Sequence, residues 1–208
     1  MTRHQPPLVW LRRVDFTFLG ISLILGLRHA SDPDHLVAVT SLVATDGGDV
    51  RRASQLGAWW GAGHAATLMI IGVPLIALEA ALPGWLESGA ETAVGVVIVV
   101  LAVQLLVPWT PVDTARTRRQ AFAIGTLHGL AGTGAVVVLL IAGMGSQAEA
   151  VVALAVFAPM SVVSMTLCTS AFAWVLTRPA VEAAHRTALV PALGGFGLLF
   201  GLWYAGLG

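Results

Sequence analysis

The chemistry of this chain is concentrated in one stretch, Leu25-Gly-Leu-Arg-His-Ala-Ser-Asp-Pro-Asp-His-Leu36. Arg28, His29, Asp32, Asp34 and His35 are five ionisable groups within eight residues, with apolar sequence on both sides. Imidazole and carboxylate form a ligand set suited to first-row transition metals: neutral imidazole offers a lone pair and carboxylate offsets charge. No cysteine is near. The single Cys168 lies in a distant apolar run, which excludes an internal disulfide and argues against a thiolate site. His29 and His35 are six positions apart and do not share one face of a straight helix. Pro33 lies between them. It lacks a backbone donor and clashes with the preceding turn, so the helix should bend or break there, and a break could bring the imidazoles together. Two plainer readings stand beside this one. Arg28 and Asp32, at i and i+4, could neutralise each other, and the cluster could lie solvated at a membrane edge. The pairing leaves His29, Asp34 and His35 unexplained.

Two further histidines lie in small-residue surroundings. His64 follows Gly57-Ala-Trp-Trp-Gly-Ala-Gly63, and His128 sits in Gly125-Thr-Leu-His-Gly-Leu-Ala-Gly-Thr-Gly134. Glycine and alanine let helix backbones approach closely in a bilayer, which brings a buried histidine near a neighbouring helix. Each alone reads as a hydrogen-bonded interhelical histidine. Four histidines in apolar runs, with only His4 and His185 outside them, strengthen the case for a shared site. Thr67, Thr126 and Thr133 read as helix-packing hydroxyls.

The elements that must position these groups are membrane helices. Of the 208 residues, 57% are hydrophobic and 11% charged, and mean hydropathy is +0.84, where a soluble domain carries about 25% charge. This excludes a disordered chain, a soluble enzyme and a nucleic-acid binder with a basic face. A crossing helix needs about 20 apolar residues. Six candidate spans follow: about Phe16–Ala44 with an interruption, Ser54–Leu78, Glu91–Val107, Ala121–Gly143, Ala150–Leu176 and Ala188–Leu207. Breaks fall at Asp46-Gly-Gly-Asp49, Leu82-Pro-Gly84, Pro108 to Pro111, Gly143–Ser146 and Arg178-Pro179. The expected fold is all-α: a polytopic transmembrane helix bundle of about six spans, its first span broken at Pro33. Residues 1–208 are expected to form a single integral membrane domain. Gly26-Leu-Arg-His-Ala30 and Gly125-Thr-Leu-His-Gly129 hint at a 3+3 inverted repeat, with halves 14–107 and 121–207, a plan common among transporters.

Arginines orient the chain. Arg51 and Arg52, then Arg116, Arg118 and Arg119, then Arg178 and Arg186 mark three loops as cytoplasmic, which puts both termini outside. Arg3, Arg12 and Arg13 in the N-terminal tail pull the other way. A signal peptide ending near Ala30 would cut through the polar cluster, so that reading is set aside.

The stretch Arg28-His29-Ala-Ser-Asp32-Pro33-Asp34-His35 resembles the signature of the nickel/cobalt transporter family: a histidine, four residues, then Asp-His. Gly61-Ala-Gly-His64 is similar to that family's glycine-rich histidine segment, and His128-Gly-Leu-Ala-Gly132 resembles the short urease-accessory-type nickel permeases. The resemblance implies uptake of Ni²⁺ or Co²⁺ across the bacterial cytoplasmic membrane. It implies metal recognition by His29, Asp34 and His35, supported by His64. Arg28, Asp32 and His128 fall to supporting or pathway roles. The segment Phe157-Ala-Pro-Met-Ser161 departs from the glycine-richer family pattern, and no His-rich loop of the exporter type is present.

The expected activity is therefore secondary transport, with the metal as substrate, no cofactor and no enzyme activity. Binding needs unprotonated imidazole, so transport should fall as pH drops through the histidine range, about 6.5 if unperturbed. No nucleotide-binding loop is present; expected contacts are membrane lipid and the metal ion, with no nucleic acid, and delivery to a nickel enzyme or its accessory proteins is a possible outlet. Three rivals stand. A metal exporter would share the architecture. An anion exporter would use Arg28 and a half-helix N-terminus, against two neighbouring aspartates. A membrane metalloenzyme would need three or more fixed ligands, an open position and a general base, and no His-Glu-x-x-His pair is present.

Overall fold

A computed structural model describes residues 16–44, 49–107, 117–179, 181 and 188–206. The turn residues Asp46, Gly47 and Gly48, the Pro108–Pro111 break, and Arg3, Arg12, Arg13, Arg116 and Arg186 lie outside the described residues.

Every regular element among the described residues is helical. Helix α1 is Phe16–His29 and α2 is Pro33–Ala44. Helix α3 is Val50–Ala77, α4 Gly84–Leu106, α5 Arg118–Gly143, α6 Gln147–Leu176 and α7 Val190–Tyr204. Helices α3 to α6, of 28, 23, 26 and 30 residues, are long and apolar enough to cross a membrane. Helices α1 and α2 hold 14 and 12 residues, so neither crosses alone. The long apolar stretch at the start of the chain is therefore two half-length helices joined by a turn.

Helix starts carry their own caps. The Asp49 carboxylate accepts the Arg51 and Arg52 amides at 2.9 and 3.2 Å. Thr117 and Gln120 form a reciprocal capping box at the start of α5, and Ser146 caps α6 by accepting the Glu149 amide. These devices satisfy first-turn donors that no helical carbonyl reaches. Helix α3 widens into a π-helical turn at Leu68–Gly72, just ahead of Pro74, which has no amide to give the ladder.

Helix α3 is the hub. It packs along α5 and α6; α1 lies on α6, and α4 pairs with α7 and α5. Bare backbone allows the tight α3–α5 contact: a Cβ on Gly125 would collide with the Trp60 carbonyl, and one on Gly63 with the Phe122 carbonyl. Three apolar clusters fill the bundle. One joins Val39, Val43, Leu56, Trp60 and Met165, a second Leu68, Val137, Leu154 and Phe157, and a third Val37, Val94, Ile98 and Ala131. Outward faces are equally apolar: Ile70, Leu78, Trp85 and Leu199 are 72%, 76%, 77% and 74% exposed. A surface of that kind needs lipid against it rather than water.

The α3–α5 seam gives a direct stability test. Gly125→Leu should destabilise the purified protein by about 1–3 kcal/mol through overpacking, lowering its melting temperature in detergent. Gly132→Leu, on the same helix with nothing within 4 Å of the added carbon, should melt near the wild type. Equal melting of the two variants would contradict the close approach of the helices.

Candidate metal centre

Helix α1 ends on His29, and Ala30, Ser31 and Asp32 form a turn before α2 begins at Pro33. The break lies where the sequence puts it, as a turn between two separate helices. Pro33 occupies the first helical position, where its missing N–H costs nothing and its fixed φ suits the helix. The turn is closed by Ser31 N–H to Arg28 O at 2.8 Å and Asp32 N–H to His29 O at 3.2 Å. Helix α6 grips it from outside. The Ser164 hydroxyl accepts the Ala30 amide at 3.3 Å and donates to the Leu27 carbonyl. Gly26 admits α6 so closely that a Cβ there would stand 2.8 Å from the Phe157 carbonyl. Ser164 has no metal-ligating chemistry, so nothing in its sequence setting singled it out from the other hydroxyls of α6.

The break brings together three of the predicted donors. The His29 ring centroid lies 4.4 Å from that of His35 and 4.8 Å from that of His64, and the His35 and His64 centroids are 5.4 Å apart. One ring nitrogen from each of His29, His35 and His64 falls within 4.8 Å of the others. His29 Nε2 and His64 Nε2 are only 2.9 Å apart. His35 and His64 are 3% and 1% exposed, so the cluster lies in the bundle and not at a solvated edge. Phe157 stands edge-on to His29 at 5.2 Å, and Trp60 lies 5.4 Å from His35.

Each aspartate of the motif serves a histidine. Asp32 Oδ2 is 3.2 Å from His29 Nδ1, and Asp34 Oδ1 is 3.0 Å from His35 Nδ1. A carboxylate on one ring nitrogen fixes the ring and the tautomer and leaves the other nitrogen as a donor. The Arg28–Asp32 ion pair considered from i, i+4 spacing is not found among the described residues. Helix α1 stops at His29, so Asp32 does not continue the helical register, and it turns to His29 instead. Arg28 is exposed and lines the same cavity as the motif.

His128 approaches from α5. Its Nδ1 donates to the Ile124 carbonyl at 3.1 Å, and its ring is 5.5 Å from His35. It belongs with His29, Asp32, Asp34 and His35 to the lining of a cavity of about 380 Å³. That cavity extends along α5 past Gly132 and Val136 to Leu140. Among the described residues, three buried imidazole nitrogens have no hydrogen-bond partner: His35 Nε2, His64 Nδ1 and His128 Nε2. The threonines behave as packing groups. Thr67, Thr126 and Thr133 all donate to carbonyls four residues back, of Gly63, Phe122 and Gly129.

The arrangement can hold a cation. Two imidazole nitrogens at 2.9 Å need either an N–H of one ring donated to the other or a cation shared between them. Neutral imidazoles with carboxylate-fixed tautomers are the donor set that Ni²⁺, Co²⁺ and their neighbours favour.

Fold and site together define a polytopic helical membrane protein with a histidine cluster buried at a helix break. The chain is 24% identical over 206 residues to the urease accessory protein UreH of a Bacillus species, covering 90% of each chain. It is 36% identical over 87 residues to a high-affinity nickel transport protein of Cupriavidus necator, a stretch covering 40% of this chain and 24% of that one. Both similarities are consistent with the nickel/cobalt permease family that the motif around Pro33 resembles, and both relatives are transport or accessory proteins rather than enzymes. No protein-family model matches the chain, and no solved structure matches it.

The grip on the break is testable apart from any metal. Ser164→Ala strips the partner from the Ala30 amide and the Leu27 carbonyl, which should cost about 1–3 kcal/mol. Thermal unfolding in detergent reads the loss; an unchanged melting temperature would mean that the turn holds without α6.

Proposed function

We propose that this chain is a secondary permease that carries a divalent transition-metal cation, Ni²⁺ or Co²⁺, into the cell across a bacterial cytoplasmic membrane. The observation that carries the reading is the convergence of His29, His35 and His64, whose donor atoms lie within 4.8 Å of one another. A carrier must bind its ion well enough to strip water and weakly enough to release it. Three neutral imidazoles, two of them backed by carboxylates, suit that need. Asp34 acts through His35 as Asp32 acts through His29, and Arg28 lines the cavity beside them.

The similarity to a nickel transport protein supports the substrate class, and the similarity to a urease accessory protein supports delivery of the ion to a nickel enzyme's accessory proteins. In the proposed topology α1 and α2 make one crossing, α3 to α6 four more and the stretch 188–207 around the 15-residue α7 the sixth, with two inverted halves. The arginine loops are cytoplasmic. The cavity then extends toward the outer end of α5, and the packed side of Val39, Val43, Leu56 and Trp60 closes the inner path. The membrane potential alone favours entry of a divalent cation by about 4.6 kcal/mol per 100 mV, twice the single-charge value.

The test is accumulation of Ni²⁺ and Co²⁺ in cells expressing the chain. Wild type should accumulate more than the empty vector, and His29→Ala, His35→Ala and His64→Ala should each fall at least about tenfold toward background. Equal accumulation in all four would defeat transport through this site. Accumulation below the vector control would reverse the direction and make the protein an exporter.

A further inference from the structure

We propose that His128 is a metal donor in its own right, forming with His35 a second station through which the cation passes after or before the His29–His35–His64 station. This rests on the permease reading and extends it to a residue assigned no more than a supporting place from the sequence.

The observations are independent of the first cluster. His128 is 2% exposed and sits mid-helix in α5. Its Nδ1–H is spent on the Ile124 carbonyl, which fixes the tautomer and makes Nε2 a bare lone pair. That Nε2 is buried and has no hydrogen-bond partner. A histidine kept for packing has no need of an unsatisfied buried nitrogen, and such a group costs stability. The ring faces the cavity that also holds His29, Asp34 and His35. Backbone hydrogen bonding on one imidazole nitrogen with the other left free is how metal-ligating histidines are commonly held.

His35 is the shared member. Asp34 occupies its Nδ1 and leaves Nε2 open. Its ring is 5.4 Å from that of His64 and 5.5 Å from that of His128. His128 lies outside the group of three whose donors meet within 4.8 Å. An ion can therefore keep its bond to His35 while it exchanges His29 and His64 for His128, and Asp34 offsets its charge at both positions. A carrier with two overlapping stations moves its ion without full release into an apolar interior, where an unliganded charge is expensive. The close α3–α5 seam serves the same end. A Cβ on Gly129, the residue after His128, would stand 2.7 Å from the His64 carbonyl, so the contact fixes the depth of His128 relative to His64.

The test uses the purified full-length chain, with Ni²⁺ alone as probe, in detergent for binding and in proteoliposomes for uptake. His128→Asn keeps an amide N–H that can reach the Ile124 carbonyl and removes the Nε2 donor. The expected result is Ni²⁺ binding within about threefold of wild type, because the first station is intact, with uptake reduced at least about tenfold. His29→Ala should instead lose binding and uptake together. Wild-type uptake by His128→Asn would overturn the second station and leave the permease reading standing. Loss of binding and uptake in parallel, with unchanged melting, would place His128 in a single site and overturn it as well. A wild-type protein that neither binds nor carries Ni²⁺ or Co²⁺ would overturn both. If His128→Asn does not fold, His128→Ala, which also removes the Nε2 donor, is read in the same way, and unfolding of both variants would assign His128 to packing and reject the proposal.

Discussion

Two imidazole nitrogens 2.9 Å apart in an apolar bundle hold together only if one donates its N–H to the other or both give their lone pairs to a shared cation. Much of the structure around His29 and His64 is arranged to keep them in that position. An N–H on His64 Nε2 donated to His29 Nε2 satisfies the pair, and His64 Nδ1 stays buried without a partner among the described residues. A divalent cation satisfies it by taking both lone pairs at once. The same geometry therefore serves a hydrogen bond and, in the proposed permease, a cation shared by both rings.

Holding that contact takes three separate constraints. The turn at Ala30–Asp32 ends α1 on His29 and starts α2 so that His35 returns toward it. Ser164 on α6 closes the exposed backbone of the turn, which at membrane depth would otherwise be unsatisfied. The glycines of α3 and α5 bring His64 to the same depth by letting the backbones of α3 and α5 touch. The two aspartates complete the design. By bonding Nδ1 of His29 and of His35 they spread the carboxylate charge into hydrogen bonds and aim Nε2 inward. Full charges inside a bilayer are costly, and an imidazole backed by a carboxylate supplies donor strength without a bare anion facing the other rings.

The clustering of His29, His35 and His64 was largely legible in the sequence because such residue types are expensive in a membrane. Apolar flanks made Arg28, His29, Asp32, Asp34 and His35 conspicuous, and Pro33 gave the break that lets residues six apart meet. Small residues around His64 and His128 marked where helices could touch. The partner of Asp32 was not legible. Its i, i+4 relation to Arg28 holds only if the helix continues, and the helix ends one residue after Arg28. Ser164 was invisible for a different reason: its role depends on which face of α6 meets the break, a long-range register that local pattern does not encode. His128 was visible as a residue but not as an orientation, since the freedom of its Nε2 follows from the hydrogen bond to Ile124. Helix type and the four long spans followed from hydropathy. The shortness of α1 and α2 required knowing where the turn falls, which Pro33 located only to within a few residues.

X-ray absorption at the nickel edge, on purified protein loaded with less Ni²⁺ than protein, reads the donor set itself. A first shell containing more than one imidazole ring, with ring scattering reduced in His29→Ala and in His64→Ala, is the expected spectrum. An all-oxygen shell that neither substitution alters would mean that the paired imidazoles hold a proton and nothing else.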